Sequence, residues 1–489
     1  MERLLAPALS FLFPGPSYVR RLTFSLLFFA GCSLVARSQT RDFFPAPQDT
    51  VLLSKLCTNY QQHYKEELNQ LPSTNKKDFQ EIYGDRWKNI KEKFDKREIY
   101  TDADAQKYLD ALAGEVVRAN PGLAATPFHC YFSRSYIPNA SYIGEGIILF
   151  NMGLFDRLAN ESEAAFILCH EISHYILHHQ ENSMNKYVTT INSEEVQSRL
   201  RKIKGSEYRK NEQLESLVKG LTFDSRRHSR DHEAQADSMA VVLMRPTRYD
   251  PAGALTTLAL LDGVDKDGFD LESDLQQVFN AKDYPFKKKW LKQDNGLLGG
   301  HARLQEQETS DSLKTHPSCP LRIKLLTPMV QAAGRAGMGG NAAGGGGNAA
   351  AAVAGPVVDA AKFAALKERF KYEVVEYAYA SDDYAESLFL SMELLQARPA
   401  DGYLVANIGR VMNGIYRAQK AHRLSKVVDM PSPGYPANYN SLLQFIQNLY
   451  LEDIASLGYY FLEPYHPQLD RLALFKTAYE ESARNVKEQ

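Results

Sequence analysis

Two histidines four residues apart, with a glutamate directly after the first, stand in the stretch Ala164 to His179, AAFILCHEISHYILHH, as His170, Glu171 and His174. A helix turns about 100° per residue, so residues four apart lie one above the other on a single face. Both imidazoles can then reach one metal ion. Glu171 can reach a water on that metal, which is how HExxH on a helix builds a zinc hydrolase. The same five letters also arise as ordinary polar helix surface, so their weight depends on what else the chain supplies.

The supply comes in Asp231 to Met244, DHEAQADSMAVVLM, where Glu233 and Asp237 are again four apart on an expected helix. A second helix carrying ExxxD offers one carboxylate as a third metal ligand, Glu233. The other, Asp237, can orient an imidazole from outside the coordination shell.

These groups need elements to hold them. Asn160 and Glu163 stand where a capping-box pair starts a helix, and Ala165, Leu168, Ile172 and Tyr175 form its core-facing stripe. Ahead of it, Asn139 to Phe155, NASYIGEGIILFNMGLF, places Gly144 and Gly146 around a turn and a short apolar strand at Ile147, Ile148, Leu149 and Phe150. That strand reads equally as a sheet edge to which an extended substrate adds, or as half of a core hairpin. Another strand is expected around Phe128 to Phe132, and a helix over Ala103 to Ala119. His178 and His179 lie past the metal-binding turn and read as surface imidazoles. Ser193 to Asp231 is charge-dense and reads as a lid or as plain surface.

The chain has 489 residues and a formal net charge of -2, with 57 basic and 59 acidic side chains, so nothing in it suggests a nucleic-acid partner. Residues 1–38 read as a signal peptide: Arg20 and Arg21 precede the apolar run Leu22 to Val35, and Ala36, Arg37 and Ser38 form a small-x-small cleavage site. The expectation is an exported chain, periplasmic or secreted. Phe29 to Cys32 offers a second route, acylation of Cys32, the only route to a membrane that the sequence offers. Cys57, Cys130, Cys169 and Cys319 contain no CxxC, which excludes a zinc ribbon, and their spacing leaves disulfide pairing open.

Residues 39–100 read as an N-terminal helical segment, 101–331 as the domain holding the site, and 332–356, almost entirely Ala, Gly and Asn, as a flexible linker. Residues 357–489 read as all-α. Within them Tyr384 to Ile415 loosely fits a helix pair of tetratricopeptide type, with a generic bundle equally compatible. The fold class is therefore α+β and mostly helical, with a small sheet beside the HExxH helix and an all-α C-terminal part.

Taken together, NASYIGEGIILFNMGLF, HEISH, HEAQAD, YDP and THPSCPLRI occur in an order that resembles the gluzincin metalloendopeptidases, the family of the HtpX, Oma-type and CAAX prenyl proteases and of periplasmic BepA-like members. The likeness covers roughly Thr101 to Met329. It implies a zincin-type domain in which His170, His174 and Glu233 bind one zinc ion and Glu171 is the general base. It also implies that Asp237 supports an imidazole, that His316 sits near the oxyanion or the metal, and that Arg322 holds the site's acidic residues. The soluble periplasmic branch, some of whose members carry C-terminal helical repeats, is the nearest likeness. Protein or peptide substrates and a role in envelope protein quality control are the corresponding expectations. The rival expectation is a helical-repeat binding module of chaperone type, recruiting a protein partner through its C-terminal part while the zinc site stays idle.

Overall fold

The computed structural model describes residues 43–205, 229–263, 271–292, 319–338, 359–432 and 434–489. The expected signal peptide, Cys32, His316 and most of the Ala/Gly/Asn-rich stretch lie outside the described residues. Among the described residues no helix is long and apolar enough to cross a membrane. The four cysteines Cys57, Cys130, Cys169 and Cys319 are free thiols.

Helices dominate. Helices α1 (Thr50–Gln70) and α2 (Lys76–Asp95) come first, followed by α3 (Ala103–Ala119) and a three-stranded sheet of β1 (His129–Ser133), β2 (Ala140–Gly144) and β3 (Ile147–Asn151). The strand order is β1-β3-β2, with β3 parallel to β1 and antiparallel to β2. β3 is thus the central strand, which corrects the edge-strand expectation for Ile147, Ile148, Leu149 and Phe150. Both of its backbone edges are paired, and all four residues are buried. Ile148 and Phe150 point into the main core, while Ile147 and Leu149 point to the other face, against Tyr60, Trp87 and Phe94 of α1 and α2. A strand covered on both faces needs an unbroken apolar run, and IILF is one. The edge falls to β2. Its tight turn into β3 uses Gly144 at φ 103° and Gly146 at φ 72°, a region closed to most side chains. A Cβ on Gly144 would also meet the Arg86 side chain at 2.8 Å.

The metal-motif helix, α4 (Glu161–Ile176), starts at the expected N-cap, but Glu163 bonds the amide before Asn160 and not that of Asn160 itself, so the reciprocal capping box is not formed. Asn160 Oδ1 accepts hydrogen bonds from the amides of Ser162 and Glu163, and Glu163 Oε2 accepts from the amide of Ala159. Every residue from Ala164 to Ser173 is buried, so α4 is a central core helix with no solvent face there. After His178, at φ 54°, the chain turns into α5 (His179–Ile191). The second motif helix, α6 (229–244), buries Ala240, Val241 and Met244 in the same core. Helix α7 (Gly253–Gly263) crosses the start of α4 so closely that a Cβ on Gly253 would lie 2.7 Å from the Ser162 backbone.

Helix α8 (Leu271–Phe279) and the segment through Trp290 pack with the C-terminal helices, and α9 (Cys319–Met338) returns to the main core through Cys319, Leu326 and Val330. The first C-terminal helix, α10 (Ala360–Ala380), inserts Phe363, Leu366, Phe370 and Val374 into the core that also contains Phe150 and Leu168. Beyond it, α11 (Tyr384–Ala397), α12 (Gly402–Lys420), α13 (Ala437–Gln447), α14 (Leu451–Leu462) and α15 (Ala473–Lys487) pack as successive helices around a second core.

Candidate metal centre

On α4, His170 and His174 present their Nε2 atoms 3.0 Å apart. Glu233 arrives from α6 with Oε2 3.6 Å from His170 Nε2 and Oε1 3.4 Å from His174 Nε2. One ligand atom from each of the three residues lies within 4.8 Å of the others. Ligands about 2 Å from a tetrahedral zinc ion lie roughly 3.3 Å from one another. The observed spacings bracket that distance, and two imidazoles with one carboxylate leave a fourth position for water, so the donor set fits the ion.

The surrounding groups fix how each ligand points. His170 Nδ1 lies 3.0 Å from Asp237 Oδ1, and Arg322 holds Asp237 through two 2.7 Å hydrogen bonds, from Nη2 to Oδ1 and from Nε to Oδ2. Arg322 Nη1 also comes within 3.1 Å of Glu233 Oε2. Burial disfavours an ionised Asp237, but the hydrogen bonds from Arg322 and His170 outweigh it and hold its carboxyl below the ordinary aspartate value. Asp237 is therefore an anion facing His170 Nδ1–H, which leaves the lone pair of His170 Nε2 towards His174 and Glu233, where a metal would sit.

His174 has a partner that sequence reasoning missed. His179 is buried, not a surface imidazole, and its Nδ1 lies 3.0 Å from His174 Nδ1. Its Nε2 is 3.1 Å from Gln235 Oε1, and its ring stacks on His232 at 4.2 Å. Burial pushes its pKa down to about 4; the hydrogen bond to Gln235 opposes this, while the charges of His174 and His232 add to it. At neutral pH it is uncharged. Because Gln235 Oε1 can only accept, His179 carries its proton on Nε2, and its bare Nδ1 accepts from His174 Nδ1–H. That tautomer frees His174 Nε2 for a metal. His178 is exposed, as expected.

At His174 itself burial works against charge. The hydrogen bond with Glu233 and the negative charges of Glu171, Glu233 and Asp237 outweigh it, so the imidazole binds a proton more tightly than an ordinary histidine. The site as a whole attracts a cation.

Glu171 is buried on the face towards β2, where its Oε2 accepts a 2.7 Å hydrogen bond from the Tyr142 amide. This is an outward-facing amide of the edge strand, so β2 positions Glu171 while β3 serves only as its core-side partner. Tyr142 also packs its ring on Tyr175 at 4.9 Å. A cleft of about 430 Å³ opens over these groups, lined by Asn139, Ser141, Glu171, His174, His232 and Glu233 among others. That is within the size range of ligand-binding sites, roughly 300–1,000 Å³.

A His-Glu-His-Glu constellation on two helices, buried except for a partly exposed His174, braced by an Asp–Arg pair and walled by an edge strand, is the arrangement of a metallohydrolase of the HExxH class. The model of peptidase family M48 matches residues 103–330, so this part of the chain is similar to that family. Over 80 residues the chain is also 35% identical to the beta-barrel assembly-enhancing protease of Yersinia pestis. That likeness spans 16% of this chain and 16% of the relative.

Proposed function

We propose that this chain is an exported, zinc-dependent endopeptidase that hydrolyses protein or peptide substrates in envelope protein quality control. The observation that carries the reading is the convergence of His170, His174 and Glu233 within 4.8 Å, with Glu171 alongside. Export is supported by the signal-like residues 1–38, and the envelope role by the name of the relative from Yersinia pestis, a beta-barrel assembly-enhancing protease.

When bound by His170, His174 and Glu233, zinc supplies the Lewis acidity that polarises a peptide carbonyl and acidifies water. The rest falls to the chain. Glu171, with Oε2 fixed by the Tyr142 amide, takes a proton from the attacking water on its other oxygen. As the water oxygen bonds to the carbonyl carbon and the carbon–nitrogen bond breaks, Glu171 passes that proton to the departing amine. Asp237 and His179 keep both imidazoles in the tautomer that binds metal. His316 is assigned the role of oxyanion donor, an interaction of a kind worth about 3 kcal/mol.

The experiment is Glu171→Gln. The variant is expected to retain zinc like the wild type while cleavage falls by about 10²–10⁴-fold, the usual contribution of a general base. Retained cleavage would remove Glu171 from the mechanism.

A further inference from the structure

Behind Glu171 lies a second, much smaller cavity of about 20 Å³, which shares Ala140 and Glu171 with the cleft. Its walls are Leu154, Phe166 and Ile167 on one side and Thr257 and Leu261 of α7 on the other, with His170 and Arg322 alongside. It therefore lies beside the group assigned to proton transfer. A side chain next to the bond being cut would reach it by passing Ala140 and Glu171, the residues that the cleft and the cavity share.

Two properties of this cavity select its occupant. A single water needs about 10–15 Å³ by this measure, so the space takes a methyl or hydroxymethyl group and rejects a branched or aromatic side chain. Ala140, Leu154, Phe166, Ile167 and Leu261 make most of the lining apolar, and the polar side chains on it are His170, Glu171, Arg322 and Thr257. Thr257 is fully buried, and its hydroxyl makes no hydrogen bond among the described residues. A buried hydroxyl left without a partner is costly, so the cavity rewards an occupant that brings a hydrogen-bonding group of its own.

We propose that this cavity is the specificity pocket for a residue flanking the scissile bond, and that it selects small side chains, alanine and serine, over leucine and phenylalanine. Thr257 is the residue that recognises serine, and Leu261 and Ile167 set the size limit. The proposal rests on the endopeptidase reading and adds the substrate class to it.

The test is cleavage-site profiling of a mixed peptide library by mass spectrometry with the zinc-loaded full chain, its Leu261→Ala and Thr257→Val variants, and Ile167→Val as a second, milder widening. Leu261 is only partly buried, so its truncation is compatible with folding, and zinc content checks that each variant holds its site. The wild type is expected to prefer alanine or serine by at least about tenfold over leucine at one fixed position beside the cut bond, the discrimination a tight pocket achieves. Leu261→Ala should raise acceptance of valine and leucine at that position by about tenfold. Thr257→Val should lower serine relative to alanine by about fivefold, the loss of one hydrogen bond. A wild type that accepts leucine and phenylalanine as readily as alanine on both sides of the cut overturns the pocket, and so do zinc-loaded variants with an unchanged profile. No cleavage at all by the zinc-loaded wild type overturns the endopeptidase reading, and the pocket with it.

Discussion

At the scale of single residues, the metal centre depends on proton placement as much as on ligand identity. His170 is directed by Asp237, an anion pinned by Arg322, and His174 by His179, a neutral ring pinned by Gln235. The two devices differ chemically but have one effect, a proton on Nδ1 and a lone pair on Nε2. Replacing His179 by Ala should therefore weaken zinc binding by about 10–100-fold, the usual cost of losing such an orienting partner, while the fold survives. Competition with a metallochromic chelator measures this, and an unchanged affinity would contradict the assignment. The pairs His170/His174 and Glu233/Asp237 were legible in the sequence because helical spacing brings residues four apart together, whereas the approach of one pair to the other was expected only from the family resemblance. His179 was not legible, since its burial is decided by α6, which brings Gln235 and His232 against it from far along the chain.

At the scale of elements, the hairpin of β2 and β3 sets the position of Glu171 through the Tyr142 amide, and the N-terminal helices set the hairpin. Arg86 of α2 reaches Glu145 in the hairpin turn at 2.7 Å and also pairs with Glu67 of α1. The Glu145 side chain is fully buried, so it cannot find water in place of the guanidinium. Burial pushes the Glu145 carboxyl up to about 7 even with Arg86 beside it, so without the guanidinium it takes up a proton. Arg86→Met should cost about 1–3 kcal/mol of stability, the penalty for unpaired buried polar groups, and should slow cleavage by loosening β2. Chemical denaturation would report it, and a loss below about 1 kcal/mol would show that the turn holds without the pair. The sequence marked the turn and the apolar strand, yet not which strand was the edge. A clue was present: IILF has no polar alternation, and a half-exposed edge strand alternates. What no local pattern holds is the pairing of β3 with β1 on its far side.

At the scale of the whole molecule, composition separates the chain at its Ala/Gly/Asn-rich stretch, but the apolar core does not follow that division. Helix α10 lies beyond the stretch, and its Phe363, Leu366, Phe370 and Val374 pack with the sheet and α4. Its Glu373, buried, accepts hydrogen bonds from the Ala46 amide at 2.9 Å and the Tyr100 hydroxyl at 3.2 Å, and faces Arg134 at 3.4 Å. A chain ending at residue 356 would expose that apolar face and leave Arg134 without its carboxylate, so it should be insoluble or unfolded. Restoring residues 357–380 should recover much of the fold. A soluble, zinc-binding fragment ending at 356 would contradict this, as judged by gel filtration and circular dichroism. Sequence reasoning missed the link because a helix's amphipathic face shows that it packs, not which core it joins.

The proposed chemistry requires that α4 and α6 together hold one zinc ion through His170, His174 and Glu233. The most direct test is metal content per chain by mass spectrometry for the purified wild type and Glu233→Ala. Close to one zinc per wild-type chain and nearly none in the variant is the expected result. A zinc-free wild type, or a variant that keeps its zinc, would contradict it.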